Sequence, residues 1–394
     1  MARASRFGTG VGALVAGVAL ALALAAGCGT ERPPVSGDGP GIGTGAGGGA
    51  QFNPDSGSVT PPGCGTKPDG SQCECLDVPL FVDPPTIYFV LDRSGSMGNP
   101  DKWNRVRVTV GKIMRSLGPR ASFGAAMFPG PSATDVCAPG DEIMSVRPGD
   151  APSSGVDGPT TTALLAATRV TPSGGTPTGP TLEIVRTRLA NVPGRAYVIL
   201  ATDGAPNCNP NAGCGYDGCQ LNVENRPGCP KEGPRNCCEP PDGYRENCTD
   251  ASSTLGAISA LRTIGIPVYV VGLPGADHYA SLLEEMAAAG GTALPTSPRY
   301  FAVNAASEDV MLAALKKVAA QITGTCTFDL KEAPANASLV NVYMDDAVLP
   351  FEPVNGWTIS GKTVTLVGTA CERVKSGDVL DVRIIAGCPR IEPR

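Results

Sequence analysis

Between residues 85 and 324, short uninterrupted apolar runs alternate with longer stretches in which apolar residues recur every three or four positions. The run 86–91, Thr-Ile-Tyr-Phe-Val-Leu, is β-branched and aromatic without polar alternation, as a strand buried on both faces requires. In the next stretch Trp103, Val106, Val110, Ile113 and Leu117 follow helical spacing, with Arg105, Lys112 and Arg115 on other faces. The same reasoning predicts strands over 121–128, 142–146, 196–201, 267–271 and 299–303. It predicts helices over 182–189, 253–264, 279–289 and 308–322, the last with Met311, Leu315, Val318 and Ile322 on one face. This alternation implies an α/β fold with a doubly wound, mostly parallel, Rossmann-like sheet covered by helices on both sides. Ligands of such sheets bind at the carboxyl ends of the strands, and Asp92 and Asp203 fall there.

Three segments depart from this rhythm. Over 205–250, Pro, Gly and Asn surround seven cysteines, Cys208, Cys214, Cys219, Cys229, Cys237, Cys238 and Cys248, so a cysteine-rich insertion is expected. From 325 to 394 short β runs at 339–344, 357–359, 364–367 and 379–385 are separated by turn residues, which predicts a small C-terminal all-β module with Cys326, Cys371 and Cys388. At the other end, Arg3 and Arg6 precede an apolar run over 11–26 and then Gly27 and Cys28, the parts of an export signal over 1–27. The run is short for a membrane span of about 20 residues. The segment 24–28 resembles a bacterial lipobox, which implies lipidation of Cys28. The Gly- and Pro-rich stretch 28–63 reads as a flexible tether, and 64–84 as a cysteine-containing lead-in to a domain over 85–324.

Composition narrows the function classes. The formal charge of −6 and the absence of a basic cluster give no electrostatic reason to expect nucleic acid. Fifteen cysteines less Cys28 leave fourteen, an even number suited to pairing outside the cytoplasm. Zinc is the alternative for the insertion, but its spacings are irregular and include the adjacent Cys237 and Cys238. Seven cysteines cannot all pair among themselves, and Cys137 is the candidate for an eighth. Cys64, Cys73, Cys75, Cys326, Cys371 and Cys388 then remain, with their connectivity open.

The candidate chemistry lies in Asp92, Ser94, Ser96, Thr176 and Asp203, oxygen donors of the kind a hard divalent cation takes as ligands. Asp and Ser after a strand also serve as plain helix caps and turns. Three pieces occur in order here: Asp92-x-Ser94-x-Ser96, the run 174–178 of Gly-Gly-Thr-Pro-Thr, and the run 202–204 of Thr-Asp-Gly. Together they closely resemble the von Willebrand factor type A domain and its metal-ion-dependent adhesion site, over roughly 85–324. The resemblance implies neutral hydroxyl ligands from Ser94, Ser96 and Thr176, with Asp92 and Asp203 binding directly or through water. It implies Mg²⁺, with Mn²⁺ or Ca²⁺ able to substitute, and an open coordination position for an acidic group of a partner. Thr178 is expected to cap the following helix, and Arg93 to face solvent.

These readings converge on a lipid-anchored protein of the bacterial cell envelope, at the outer membrane or cell surface. Its expected role is metal-dependent attachment to a carboxylate on a protein or surface ligand. A scaffold subunit recruiting an envelope complex through the same site is the alternative. Enzymes are the less favoured class: no phosphate loop or His-Glu-x-x-His motif occurs, and a histidine-based mechanism would need His278, the only histidine, at the start of a helix.

Overall fold

The alternating runs and stripes fold as one sheet with helices on both faces. The computed structural model describes residues 76–77, 84–131, 135–150, 157–208, 248–305, 307–330, 333–334, 336–345 and 347–393. The expected export signal, Cys28, the expected tether, Cys64, Cys73, Cys75 and residues 209–247 of the insertion lie outside the described residues.

Leu76–Asp77 (β1) belongs to the lead-in. The sheet domain then runs Thr86–Asp92 (β2), Lys102–Leu117 (α1), Ser122–Phe128 (β3), Asp141–Pro148 (β4), Pro159–Ala167 (α2), Thr178–Leu189 (α3), Ala196–Thr202 (β5), Ala251–Thr263 (α4), Val268–Gly272 (β6), Ala280–Gly290 (α5), Phe301–Ala302 (β7) and Glu308–Thr323 (α6). Strand order is β4-β3-β2-β5-β6-β7, with every neighbouring pair parallel except the edge pair β3 and β4. The chain turns from one half of the sheet to the other between β2 and β5, which creates a crevice at their carboxyl ends.

The period of two in a strand divides the core. Ile87, Phe89 and Leu91 enter one layer with Val106, Val110 and Ile113 of α1 and Leu315 and Val318 of α6. Tyr88 and Val90 enter the other, with Leu182 and Val185 of α3, Ile258 of α4 and Met286 of α5. All seven residues of β2 are buried, which explains why its sequence shows no polar alternation. Helix α2 carries no such stripe: only Thr160, Thr161 and Leu164 are buried. Its start is set from a distance, because the Asp150 carboxylate accepts the N–H groups of Thr160 at 2.7 Å and Thr161 at 2.9 Å.

The C-terminal module comprises Thr327–Asp329 (β8), Val340–Met344 (β9), Ala347–Val348 (β10), Trp357–Ser360 (β11), Thr363–Leu366 (β12), Thr369–Ser376 (α7) and Val382–Ala386 (β13). Its two antiparallel sheets, β1-β13-β9-β10 and β11-β12-β8, enclose Phe328, Val342, Trp357, Val364 and Ile384. The expectation of an all-β module needs one correction. Helix α7 is part of it, and with two turns and only Ala370 and Val374 buried it is too short to leave a legible stripe. A disulfide joins Cys371 of α7 to Cys326, just before β8. The lead-in also takes part, since β1 pairs with β13, Leu76 opposite Ala386 and Asp77 opposite Ile385.

Module and sheet domain share a packed boundary within the unit 58–394. Leu380 is buried in the core layer of α1 and α6. Gly377 has φ +81°, and a Cβ there would lie 2.8 Å from the Lys316 carbonyl oxygen and 3.2 Å from Ala320 Cβ, so the end of α7 meets α6 almost backbone to backbone. Arg120, at the amino end of β3, is 3% exposed. Burial pushes its guanidinium down to about 10, while the carboxylates of Asp381 and Asp345 in the module pull the other way. Arg120→Ala removes both the buried stem and this charge contact. It is expected to lower stability by about 2 kcal/mol in urea unfolding and to speed proteolysis between 323 and 327. An unchanged unfolding midpoint and cleavage rate would show that Arg120 does not hold the boundary.

Candidate metal-binding site

Asp92 is the last residue of β2, and the loop after it is folded around its carboxylate. Oδ1 accepts the Ser94 N–H at 2.8 Å, an Asx turn that reverses the chain at once. Oδ2 accepts the Thr202 hydroxyl at 2.6 Å and so links the ends of β2 and β5. Met97, fully buried, anchors the loop in the core below. Ser94 and Ser96 are thereby held with their hydroxyl oxygens 3.1 Å apart, and Ser96 donates to Asp203 Oδ1 at 2.8 Å. Four of the five expected residues, Asp92, Ser94, Ser96 and Asp203, form one buried cluster of oxygens.

The loop that carries Thr176 is tied by its backbone to the loop that follows Asp92. Gly95 N–H donates to the Gly174 carbonyl at 3.0 Å, Ser173 N–H to the Arg93 carbonyl at 2.8 Å, and Thr176 N–H to Asn207 Oδ1 at 2.6 Å. The glycines before it answer two separate constraints. Gly174 has φ +88°, and a Cβ on Gly175 would lie 2.5 Å from Cys208 Sγ. That sulfur belongs to the disulfide with Cys137, which ties the loop after β3 to the loop after β5. The eighth-cysteine expectation for Cys137 is met, and Cys248 at the other end of the insertion is disulfide-bonded as well. In the chain-entropy model, a bridge spanning 71 residues stabilises by about 4 kcal/mol.

Three loops at the carboxyl ends of a doubly wound sheet converge on Asp92, Ser94, Ser96, Thr176 and Asp203. No protein-family model and no curated protein matches the chain. Among solved structures, the pilus adhesin SpaC from Lactobacillus rhamnosus GG is similar over 82% of this chain and 44% of its own, at 17% identity and a TM-score of 0.46. The von Willebrand domain of the type V pili tip protein Mfa5 from Porphyromonas gingivalis shares 14% identity over 61% of this chain and 96% of its own, with a TM-score of 0.40. A von Willebrand factor type A protein from Catenulispora acidiphila shares 14% identity over 79% of this chain and 59% of its own, with a TM-score of 0.39. The chain thus spans less than half the length of SpaC.

Two expectations need correction. Arg93 does not face solvent: it is 5% exposed, and its guanidinium donates to the carbonyls of Pro129 at 2.7 Å, Gly130 at 2.8 Å and Thr171 at 3.1 Å, and to the Ser173 hydroxyl at 3.2 Å. The loop carbonyls beside the site need donors, and one planar fork supplies them. Thr178 is not the cap of α3. It is the first helical residue, Pro177 precedes it at the cap position, and its hydroxyl points back to the Thr176 carbonyl at 3.4 Å. His278 is exposed, as expected, on the 3₁₀ turn Ala276–Tyr279 before α5.

Lys102 and Asn207 also belong to the site and lie outside the sequence motif, while Thr202 lies within it without being an expected ligand. Lys102 pairs with Asp203 Oδ2 and donates to the Pro274 carbonyl at 2.8 Å. A signal for it existed: 102, 106, 110, 113 and 117 form one helical stripe, and Lys102 is its only charged member. Thr202 stands in the 202–204 run of the motif, and its hydroxyl serves Asp92; Asn207 carries no signal in the sequence.

The donor set fits a hard divalent cation. Among the described residues no three His, Cys, Asp or Glu side chains converge, so an ion here would rely on the hydroxyls of Ser94, Ser96 and Thr176 beside two carboxylates. Burial, reinforced by the charge of Asp203, pushes the Asp92 carboxyl from 3.8 up to about 7. Two buried carboxylates facing each other favour a proton or a cation between them. In the metal-free fold Asp92 holds its proton at pH values where the unfolded chain has lost it, so its contribution to stability is present below 3.8 and lost as pH rises through about 7. In EDTA, the melting temperature should therefore fall between pH 5 and pH 8, and Asp92→Asn should remove part of that fall. An identical pH profile for the variant would show that Asp92 titrates normally.

Proposed function

We propose that this chain is a surface-tethered binding protein. A Mg²⁺ ion held by Asp92, Ser94, Ser96, Thr176 and Asp203 would capture a carboxylate of a protein or surface ligand. The observation that carries this reading is the cluster itself: two serine hydroxyls 3.1 Å apart between two buried carboxylates. Neutral hydroxyls leave a bound ion electrophilic, and Mg²⁺ takes six oxygens while keeping exchangeable waters, one of which a carboxylate can replace. Mn²⁺ and Ca²⁺ suit the same donors less selectively. Binding rather than turnover is favoured because His278 is an exposed turn residue, the Ser96 hydroxyl donates to Asp203 and the Ser94 hydroxyl is hydrogen-bonded to that of Ser96. Attachment through lipidated Cys28 to a bacterial envelope membrane completes the proposal, on the strength of the N-terminal sequence. Among the described residues no helix is long and apolar enough to cross a membrane.

Ser94→Ala and Asp203→Ala should weaken Mg²⁺ binding in calorimetry by about a hundredfold or more, the upper end of what losing even an outer-shell partner costs a metal site. Far-UV circular dichroism should stay unchanged. Unaltered Mg²⁺ affinity in both variants would overturn the site. The scaffold reading uses the same ion and differs in partner. Capture of extracellular material by the soluble domain in Mg²⁺, lost in EDTA, is the result expected for adhesion, whereas capture of an envelope complex encoded beside it would decide for the scaffold.

A further inference from the structure

We propose that Lys102 is a resident counter-cation of the metal site, one that engages Asp203 from within the fold, weakens the hold on a divalent ion and leaves the loaded site positively charged. The inference rests on the metal reading given above and adds a residue that the donor pattern does not contain.

Lys102 is the first residue of α1 and is 7% exposed. Its ammonium is seated between Asp203 Oδ2 and the Pro274 carbonyl oxygen, at 2.8 Å from the latter. The other Asp203 oxygen accepts from Ser96, so both oxygens of that carboxylate are engaged by the chain itself. The seat is narrow: Gly275 has φ +112°, and a Cβ there would lie 3.1 Å from the Asp203 carbonyl oxygen and 3.8 Å from Lys102 Nζ. Nothing in the packing asks for a cation at this place. The helix dipole disfavours positive charge at an amino terminus, and the rest of the stripe, Val106, Val110, Ile113 and Leu117, is apolar. A buried ammonium there is accounted for by the carboxylate it meets.

Charge counting gives the consequence. Asp92 and Asp203 bring two negative charges and Lys102 one positive, so the cluster with both carboxylates ionised carries one net negative charge. Mg²⁺ turns this into one net positive charge, whereas without the lysine the loaded cluster would be neutral. Repulsion between the ammonium and the ion lowers metal affinity, and the surplus positive charge acts on an incoming carboxylate in the opposite sense. Asp203, held by Lys102 and Ser96, is also kept from moving into direct coordination, which preserves the ion's appetite for an outside ligand.

The test is calorimetric titration of the whole exported chain with Mg²⁺, for the wild type and for Lys102→Met, Lys102→Gln and Lys102→Arg. The two neutral variants should bind Mg²⁺ about tenfold more tightly or better, with Lys102→Arg close to the wild type. Thermal melting supplies a second readout. In EDTA the neutral variants should melt below the wild type, and Mg²⁺ should raise their melting temperature by more. Lys102→Gln keeps the test available should the Met variant not fold. Wild-type binding with equal or weaker affinity in the neutral variants overturns the role of Lys102 and leaves the metal reading standing. Absence of Mg²⁺ binding by the wild type overturns both.

Discussion

Two carboxylates, Asp92 and Asp203, are held side by side at the ends of neighbouring parallel strands, and the loops around them are built to compensate that buried negative charge. The sheet makes the encounter unavoidable. β2 and β5 pair in register from Thr86 and Ala196 onward, so the residues that follow their last pairs emerge together. Every oxygen of the two groups then finds a donor: the Ser94 amide, the Thr202 hydroxyl, the Ser96 hydroxyl and the Lys102 ammonium. Such a network is expensive to leave incomplete in a low-dielectric setting, which makes each member dependent on the others.

The same compensation reaches outward. Ser96 comes from the segment between β2 and α1 and Lys102 from the first position of α1, and Arg93 in that segment binds the loops after β3 and before α3. The Cys137–Cys208 bridge closes the circle from the other side by tying the loop after β3 to the loop after β5. The donors of the cluster are therefore positioned by the fold itself. An ion bound there would not have to order its ligands, because the entropy of fixing three loops is met during folding.

The sheet, its two helical layers and the oxygen donors were legible because each follows from a local period or a short motif. A strand buried on both faces has to be apolar throughout, as β2 is, and a helix on a core has to show a stripe, as α1 and α6 do. What stayed hidden follows from partners distant in sequence. Helix α2 begins where Asp150 reaches its first amides, and α7 is fixed by a disulfide and by Gly377 against α6. Arg93 lies within the motif itself, yet its orientation depends on carbonyls of Pro129, Gly130 and Thr171 that no local pattern shows to be unpaired. Lys102 is the intermediate case: its place on an apolar stripe was visible, whereas its partner Asp203 lies 101 residues away.

The placement of the module bears on how a tethered protein would present such a site. Arg120, which faces the module, lies at the amino end of β3, whereas Asp92 lies at the carboxyl end of β2. Parallel pairing puts those ends on opposite sides of the sheet, separated by a strand of seven residues, about 23 Å at 3.3 Å per residue. The lead-in enters on the module side, because β1 adds to the module's sheet beside β13 rather than to the central sheet. A chain held from its N-terminus is thus held at the end remote from the carboxylates. A segment of only two paired residues would be a weak mooring alone, but β13 is continued by β9 into a four-stranded sheet whose core residues include Val342 and Ile384. The lead-in therefore joins a folded base, and the oxygen cluster lies at the opposite end of the parallel strands.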